Sequence, residues 1–121
     1  MNFIFDNERP IYVQLVEQLR IAVVSGAYEP GERLPSVREL ALAAKVNPNT
    51  MQRALTELEG EGLIYTERTN GKFVTDDGQI ITDARNKLAS VKVHQYLSDM
   101  AGIGFSFEDA VNYLRENGGD E

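Results

Sequence analysis

The sequence predicts a mainly α-helical fold that carries one small β-hairpin. Three stretches with apolar residues at helical spacing precede Gly62, and two short runs of strand-forming residues, 63–66 and 73–75, follow it. The pair Asn70-Gly71 lies between the two runs, and it favours a two-residue hairpin turn because both positions need a positive φ. At 121 residues the chain can bury one modest core with a short appendage.

The first predicted helix begins at Pro10 and ends before Gly26. Proline suits the first turn of a helix, where its missing N–H would be unpaired, and glycine suits the position after the last turn. Apolar residues recur between them at four-residue spacing: Ile11, Leu15, Leu19 and Val23. Turn-forming residues 29–32 then lead to Arg33.

The second predicted helix begins after Ser36. The Ser36 hydroxyl can accept a hydrogen bond from the Glu39 backbone, and the Glu39 side chain can reach back to Ser36, which predicts a capping box worth about 1 kcal/mol. Arg38 points outward, and the opposite face forms an apolar stripe. The stripe consists of Val37, Leu40, Ala41 and Ala44.

A third helix is predicted to follow almost at once, with Asn47 as its cap and Pro48 at its first position. Its two faces consist of apolar Met51, Ala54, Leu55 and Leu58 and of polar Asn49, Gln52, Arg53 and Thr56. Two short helices joined by a tight turn indicate a helix-turn-helix whose second helix is the recognition helix. A small helical hairpin with a polar outer face is the alternative. With the β-hairpin added, the order of elements predicts a winged helix-turn-helix.

Two more helices are predicted after residues 76–78, which read as a boundary. Thr82 or Asp83 can cap the first of them, and it runs to about Met100 before two nearby glycines interrupt it. Ser106, with an aspartate three residues later, predicts a capping box for the last helix.

The tail is too short for a ligand-binding domain with its own core, so its apolar positions are expected to be buried against a partner. We therefore expect residues 1–76 to form the winged helix-turn-helix domain and residues 77–121 to form a helical tail used for homodimerisation. The candidate dimerisation residues are Leu88, Val91, Tyr96, Leu97, Met100, Phe105, Phe107, Val111 and Leu114.

The net charge of −7 is unevenly distributed along the chain. Residues 1–75 hold 8 basic and 10 acidic residues, whereas residues 76–121 hold 4 basic and 9 acidic ones. Between residues 33 and 56 the balance inverts, because only Glu39 opposes four cations, which are Arg33, Arg38, Lys45 and Arg53. Such a local basic surface is compatible with DNA binding, although four cations could equally be ordinary solvated side chains.

Several classes of function are disfavoured by what the sequence lacks. The absence of cysteine excludes disulfides, thiolate metal sites and thiol nucleophiles. The sole histidine, His94, has no companion motif, and no glycine-rich phosphate loop is present, so we predict no enzyme, catalytic residue, metal site or cofactor. Residues 1–10 lack the apolar region of a signal peptide, and no apolar run approaches about 20 residues. We expect a soluble, cytoplasmic protein with no membrane partner.

Three segments together resemble the DNA-binding domain of the GntR family of bacterial regulators: YEPGERLPSVRELA at 28–41, VNPNT at 46–50 and ALTELEGEGL at 54–63. The resemblance covers roughly residues 9–75, and it is more specific than a generic helix-turn-helix because loop, cap, turn and helix end agree in order. The short helical tail, together with PIYVQ at 10–14, is similar to the YtrA subfamily, whose members carry a small dimerisation appendage.

The resemblance implies a set of DNA contacts. Gln52 matches a base-reading position and suits adenine, while Arg53 could take guanine or a phosphate. The wing departs from the family pattern Gly-x-Gly-Thr-Phe-Val, since residues 69–74 read TNGKFV. The candidate DNA-binding residues are Arg33, Ser36, Arg38, Asn47, Asn49, Thr50, Gln52, Arg53, Arg68, Gly71 and Lys72.

The resemblance also implies a mechanism. A symmetric dimer would place two recognition helices in successive major grooves about 34 Å apart on a palindromic operator, and as a repressor it would block polymerase. The subfamily suggests a neighbouring transporter operon as the target. A small-molecule effector could bind a crevice between tail and winged helix, or none could be needed. A winged helix used for protein contact is the alternative, but Asn49, Gln52 and Arg53 on the third helix favour double-stranded DNA.

Overall fold

A computed structural model describes residues 1–119 of the chain. Its elements run in the order α1 (Ile11–Val24), α2 (Val37–Ala44), α3 (Pro48–Gly60), β1 (Ile64–Glu67), β2 (Gly71–Val74), α4 (Gly78–Gly102) and α5 (Phe107–Asn117). This order confirms the predicted fold class. The contacts divide the chain into two compact units, Met1–Arg85 and Asn86–Glu121. The division lies within α4, and the domain boundary expected after residue 76 stays a prediction.

The core of the first unit is built around α3. The apolar stripe of α3 is buried as predicted, and α1, α2 and β1 all pack against this helix. The largest fully buried side chains are Leu15, Leu40, Met51, Leu55, Leu58, Leu63 and Val74. Each of them contributes about 1.5–3 kcal/mol by leaving water, so this cluster holds the three helices and the hairpin together.

The connection from α2 to α3 is a tight turn at Lys45 and Val46. Lys45 caps α2 with a φ of 57°, and within residues 1–119 it is the one non-glycine residue with a positive φ. The Val46 N–H donates to the Ala41 carbonyl at 3.0 Å, which closes the end of α2. Asn47 then caps α3, and Pro48 takes its first helical position, as the sequence predicts.

The hairpin differs from the prediction in its loop. Glu67 lies opposite Gly71 in the antiparallel pair, so residues 68–70 form a three-residue loop. The predicted two-residue turn at Asn70-Gly71 is therefore wrong: Gly71 has a φ of 100°, but Asn70 does not adopt a positive φ. The Asn70 N–H instead donates to the Glu67 carbonyl at 3.3 Å, which closes a turn two residues earlier than predicted.

The physical reason for this loop is that β2 is also paired along its second edge, by the segment that leads into α2. The Leu34 N–H donates to the Lys72 carbonyl at 2.8 Å, and Arg33 forms a bridge with Phe73. Because two neighbours fix the register of β2, the sheet sets the loop length and overrides the local preference of the turn sequence.

The segment before α1 lies along the helix and is held by two glutamine side chains. Gln18 donates to the Ile4 carbonyl at 2.6 Å and accepts from the Ile4 N–H at 3.0 Å. Gln14, which is 2 % exposed, makes the same pair of bonds to Asp6. It donates to the Asp6 carbonyl at 3.0 Å and accepts from the Asp6 N–H at 2.9 Å. Pro10 takes the cap position of α1, one residue before the first-turn position that the sequence predicts. We call this segment, residues 1–9, the N-terminal arm.

α4 begins earlier than the sequence predicts. The Asp77 carboxylate accepts from the Gln79 N–H at 3.0 Å and caps the helix. Thr82 and Asp83, predicted as caps, lie inside α4, so that prediction is wrong. Asp77 starts the helix because a carboxylate at a helix N-terminus pairs with unsatisfied N–H groups and with the positive end of the dipole.

Two contacts fasten the start of α4 within the first unit. Ile81 is 4 % exposed, and the Arg85 Nε donates to the Val24 carbonyl at 2.8 Å. An arginine suits this place because the last carbonyls of α1 have no partner within their own helix. The first two turns of α4 therefore pack with the winged helix.

The second unit consists of the rest of α4 and of α5. α4 ends at Gly102, and Gly104 follows with a φ of 98°, as expected for a break at these glycines. Ser106 and Asp109 form the predicted capping box of α5, with an N–H to Oγ distance of 3.2 Å and an N–H to Oδ2 distance of 3.4 Å. Across residues 86–119, Ala110 is the one residue that is buried.

Candidate nucleic-acid interface

The first turn of α2 presents Arg38 to solvent. Beside it, the Glu39 N–H donates to the Ser36 Oγ and the Ser36 N–H donates to the Glu39 Oε1, each at 3.1 Å. These bonds hold the pKa of the Glu39 carboxyl below its usual value, and the bond from the Ser36 backbone has the larger effect. No ion pair to Arg38 forms within residues 1–119. The capping box thus occupies Glu39 and leaves the Arg38 guanidinium for an external anion.

Arg33 lies against the wing. Gly71 has a φ of 100°, and a Cβ built on it would stand 3.3 Å from the Arg33 Nε. The guanidinium therefore rests on the open side of the glycine. A larger residue at position 71 would meet both an unfavourable backbone conformation and the arginine, so Gly71 controls the position of Arg33.

The α2 N-terminus, α3 and the wing enclose an open cleft of about 330 Å³. The predicted DNA-binding residues that line it are Arg33, Ser36, Gln52, Arg68, Gly71 and Lys72. Its walls combine guanidinium groups, hydroxyls and an amide, which are the groups that bind phosphate oxygens and base edges, and Glu67 also lines it. The fold thus gathers residues from three separate parts of the sequence into one surface, which we call the basic cleft.

One side of the outer face of α3, next to the wing, carries Gln52 and Thr56. The Gln52 Nε2 donates to the Thr56 Oγ1 at 3.2 Å, and the Thr56 hydroxyl donates to the Gln52 carbonyl at 2.9 Å. A primary amide has two N–H donors and one oxygen acceptor, so Gln52 keeps one N–H and its oxygen. Those are the two groups that an adenine edge requires.

The start of α3 carries three further predicted contacts. The Asn47 Oδ1 accepts from the Asn49 N–H at 2.7 Å, so the Asn47 side chain serves as the helix cap. Asn49 is exposed and Thr50 is half-buried. Free N–H groups and the positive end of the dipole meet at such a helix start, which suits a phosphate.

Arg53 lies on the other side of the outer face, next to α1. Its guanidinium carbon stands 4.6 Å from the centre of the Tyr12 ring, and the Tyr12 hydroxyl donates to the Glu57 Oε1 at 3.1 Å. Burial raises the pKa of Tyr12, and the hydrogen bond to Glu57 raises it further. Tyr12 was not among the predicted site residues. Its one sequence signal is a position beside the apolar stripe of α1, from which a side chain can reach a neighbouring helix.

Lys72 lies on β2 and not at the tip of the hairpin. Its Nζ donates to the Glu59 Oε1 and to the Thr66 Oγ1, both at 2.8 Å, and its side chain is 13 % exposed. The hydrogen bond from Lys72 lowers the pKa of Glu59. Lys72 therefore braces the wing against α3, and a phosphate contact would have to compete with these bonds. Arg68, in the loop, is exposed.

The predicted dimerisation residues form an apolar surface on the second unit. Val91, Phe107 and Leu114 are 62, 66 and 53 % exposed. The half-buried ones are Leu88, Tyr96, Leu97, Met100, Phe105 and Val111. α4 and α5 enclose a groove of about 380 Å³, lined by Lys92, Val93, Tyr96, Leu97, Phe107, Val111 and Leu114. We call this region the apolar groove, and its exposed area is of the kind that marks an interaction surface.

Within residues 1–119, no three histidine or acidic side chains gather closely enough to hold a metal ion. His94 is exposed, and its Nδ1 stands 2.7 Å from the Ser90 carbonyl, one turn earlier in α4. None of the helices described combines the length and the apolar character that crossing a membrane requires.

Sequence comparisons place the winged helix among bacterial regulators. The profile described as "Bacterial regulatory proteins, gntR family" matches residues 11–74, which run from the start of α1 to the end of β2. The HTH-type transcriptional regulator YhcF of Bacillus subtilis (strain 168) is 33 % identical over 111 residues, which are 92 % of either chain. The HTH-type transcriptional repressor YtrA of the same organism is 32 % identical over 112 residues, 92 % of this chain and 86 % of that protein.

Solved structures give the same picture at the level of fold. A GntR family transcriptional regulator from Listeria monocytogenes has a TM-score of 0.85 and 39 % identity, over 93 % of this chain and 98 % of its own. The AraR DNA-binding domain in complex with an operator has a TM-score of 0.55 and 26 % identity, over 60 % of this chain and 93 % of its own. The first similarity extends beyond the hairpin, because residues 1–74 are less than two thirds of the chain.

Proposed function

This chain belongs to the gntR family of bacterial regulatory proteins, and we propose that it is a dimeric repressor that binds a palindromic operator. Membership makes it a transcriptional regulator with a winged helix-turn-helix DNA-binding domain, as its relatives are, and not an enzyme. We further propose that the operator lies in the protein's own upstream DNA, next to a transporter operon, and that the protein binds it in the cytoplasm. Control by a small-molecule effector and control without one both stay open.

The observation that supports the DNA contacts best is the basic cleft. It holds the Arg33 guanidinium and the Gln52 amide, and the exposed Arg38 lies on the helix turn that borders it. We assign phosphate contacts to the cations, because they supply charge without sequence information, and a base contact to Gln52, because its free amide groups match adenine. To Arg68, at the tip of the wing, we assign a contact with a phosphate or with the minor groove.

The apolar groove supports the dimer. Phe107 and Leu114 expose more than half of their side chains on α5, which is a small helix with one buried residue. A second copy of the same surface would cover them, because a two-fold dimer interface is self-complementary. Two winged helices joined in this way would read half-sites about 34 Å apart, one turn of DNA.

The test is footprinting on the protein's own upstream DNA, followed by binding titrations over a salt series. We expect two protected half-sites and an affinity that falls steeply with salt, since each phosphate contact releases counterions. Binding that is absent or insensitive to salt would favour the protein-contact alternative.

Two substitutions test the division of roles. Arg38→Ala should weaken binding to every sequence, whereas Gln52→Ala should lose about 1–3 kcal/mol of preference at one base pair of each half-site and leave the salt dependence unchanged. Arg9→Ala is the matched charge control, because Arg9 is exposed and bound to Glu17 on α1. Equal losses on all sequences for Arg38→Ala and Gln52→Ala would contradict the assignment.

A further inference from the structure

The side of α3 that faces α1 carries a network which the helix-turn-helix itself does not require. Arg53 and Glu57 are four residues apart on α3, a spacing at which opposite charges normally pair along the helix. No such pair is formed among residues 1–119. Glu57 instead accepts from the Tyr12 hydroxyl at 3.1 Å and lies 3.9 Å from Arg20.

The Tyr12 ring is fixed at its far end. Its hydroxyl donates to the Glu57 Oε1 at 3.1 Å, and the Arg53 carbonyl, at 3.4 Å, shares the same proton, so the ring is held against one stretch of α3. Arg20 in turn makes a two-point bond to Glu61 at 2.9 and 2.6 Å, which holds α1 and α3 together at this edge. The position of the Tyr12 ring is therefore fixed relative to α3, and so is the position of a group that stacks on it.

The Arg53 guanidinium rests on this ring, with 4.6 Å between its central carbon and the ring centre. When a guanidinium stacks on an aromatic ring, its face makes the contact and its five N–H donors point outward in the plane. Contact with Tyr12 therefore restricts the orientation of Arg53 and leaves its donors available. A phosphate can bind those donors in a bidentate manner.

We propose that Tyr12 is a positioning residue for DNA binding: it keeps Glu57 away from Arg53 and orients the Arg53 guanidinium toward a phosphate on the α1 side of the recognition helix, not toward a guanine. This inference rests on the proposed function and deepens it. Arg53 becomes a contact that adds affinity on any sequence, while Gln52 on the wing side supplies the sequence preference.

Binding of the full-length protein to its footprinted DNA and to unrelated DNA, each over a salt series, tests the proposal. Arg53→Ala should weaken binding about tenfold on both DNAs and reduce the salt slope by about one for each bound copy. Tyr12→Leu should weaken it about two- to fivefold, as expected for loss of an exposed cation–π contact. The double variant should be no weaker than Arg53→Ala alone.

Rescue separates positioning from a structural role. Tyr12→Phe keeps the ring but frees Glu57 to pair with Arg53, so it should weaken binding, and adding Glu57→Gln should restore it. Thermal unfolding followed by circular dichroism identifies any variant that fails to fold. If Tyr12→Leu fails to fold, Tyr12→Phe, which retains the ring, still tests the proposal. Arg9→Ala, which removes a charge from the N-terminal arm, outside this network, should change affinity less than twofold.

The outcomes distinguish the two proposals. Additive losses in the double variant, an unchanged salt slope for Arg53→Ala, or a Tyr12→Phe defect that Glu57→Gln does not restore would each overturn the role of Tyr12. In all three cases the proposed function stands if wild-type binding is salt-dependent and Arg38→Ala weakens that binding. Absence of wild-type binding would overturn both.

Discussion

The two units of the chain treat their apolar residues in opposite ways. The first unit encloses seven large side chains that are less than 2 % exposed, whereas residues 86–119 of the second bury Ala110 alone. The second unit instead leaves Phe107 and Leu114 more than half exposed. A unit with its own core can be stable by itself, while a unit that exposes its apolar residues gains stability when a partner covers them. The comparison supports the proposal that the first unit folds by itself and that the second serves for association.

Removing the second unit gives the largest expected effect. A chain that ends at Arg85 should remain folded but be monomeric, and its affinity for the operator should fall about 10²- to 10⁴-fold because the two half-sites are no longer bound by one linked species. Sedimentation velocity and DNA titration measure the two quantities. A shortened chain that is still dimeric would contradict the role assigned to the apolar groove.

A matched pair of leucine truncations sharpens the same comparison. Leu55→Ala removes a side chain that is 1 % exposed and should lower the free energy of unfolding by about 2–5 kcal/mol. Leu114→Ala removes one that is 53 % exposed and should change unfolding of the first unit by no more than about 0.5 kcal/mol while weakening the dimer. Urea unfolding and sedimentation separate these effects. Similar destabilisation by both would mean that the tail has its own core.

The two capping boxes provide a second pair with a smaller effect. Ser36→Ala and Ser106→Ala each remove a side-chain cap and should each lose about 1 kcal/mol. The loss from Ser36→Ala should appear in unfolding of the first unit, whereas that from Ser106→Ala should appear in dimer dissociation. If the protein is first diluted until it is monomeric, Ser106→Ala should leave the unfolding midpoint unchanged. A lower midpoint would contradict the assignment of its effect to the dimer.

The contact between Glu59 and Lys72 predicts the smallest effect, which depends on pH. The hydrogen bond from Lys72 lowers the pKa of Glu59 below its ordinary 4.5, so the ionised carboxylate stabilises the fold above that pH. The stabilisation should be lost as the pH falls from 4.5 through the pKa of the folded state. Urea unfolding at several pH values should show wild type and Glu59→Gln converging in acid. A constant difference between them would contradict the contact.

Local signals in the sequence predicted the helices and the caps of α2, α3 and α5, but they did not predict the Asp77 cap of α4. Ser36 with Glu39, Ser106 with Asp109, and Asn47 form the expected caps because each bond spans no more than three residues and needs no tertiary partner. The basic cleft was predictable as a set of residues, since the family motif fixes their order along the chain, although their proximity to one another depends on the fold.

Features that depend on distant partners were not predictable in this way. The loop of the hairpin follows the register imposed on β2 by the segment before α2, so the strong local preference of Asn70-Gly71 does not decide it. The contact of Tyr12 with Arg53 joins residues 41 apart, and the bond of Lys72 to Glu59 joins residues 13 apart. Periodicity tells which face a side chain occupies, but it does not tell which neighbour it meets there.

The glutamine bonds that hold the N-terminal arm bear on how this part of the protein can change in evolution. Gln14 and Gln18 bind only backbone groups, those of Asp6 and Arg9 and those of Ile4. Four residues of helix rise about 6 Å, and two residues of extended chain span about 6.6 Å, so the two spacings match. The side chains of Ile4 and Asp6 take no part in these glutamine bonds and can vary among homologues, but a one-residue insertion between positions 4 and 6 would break the match. Conservation of length, more than of sequence, is the signature to expect there.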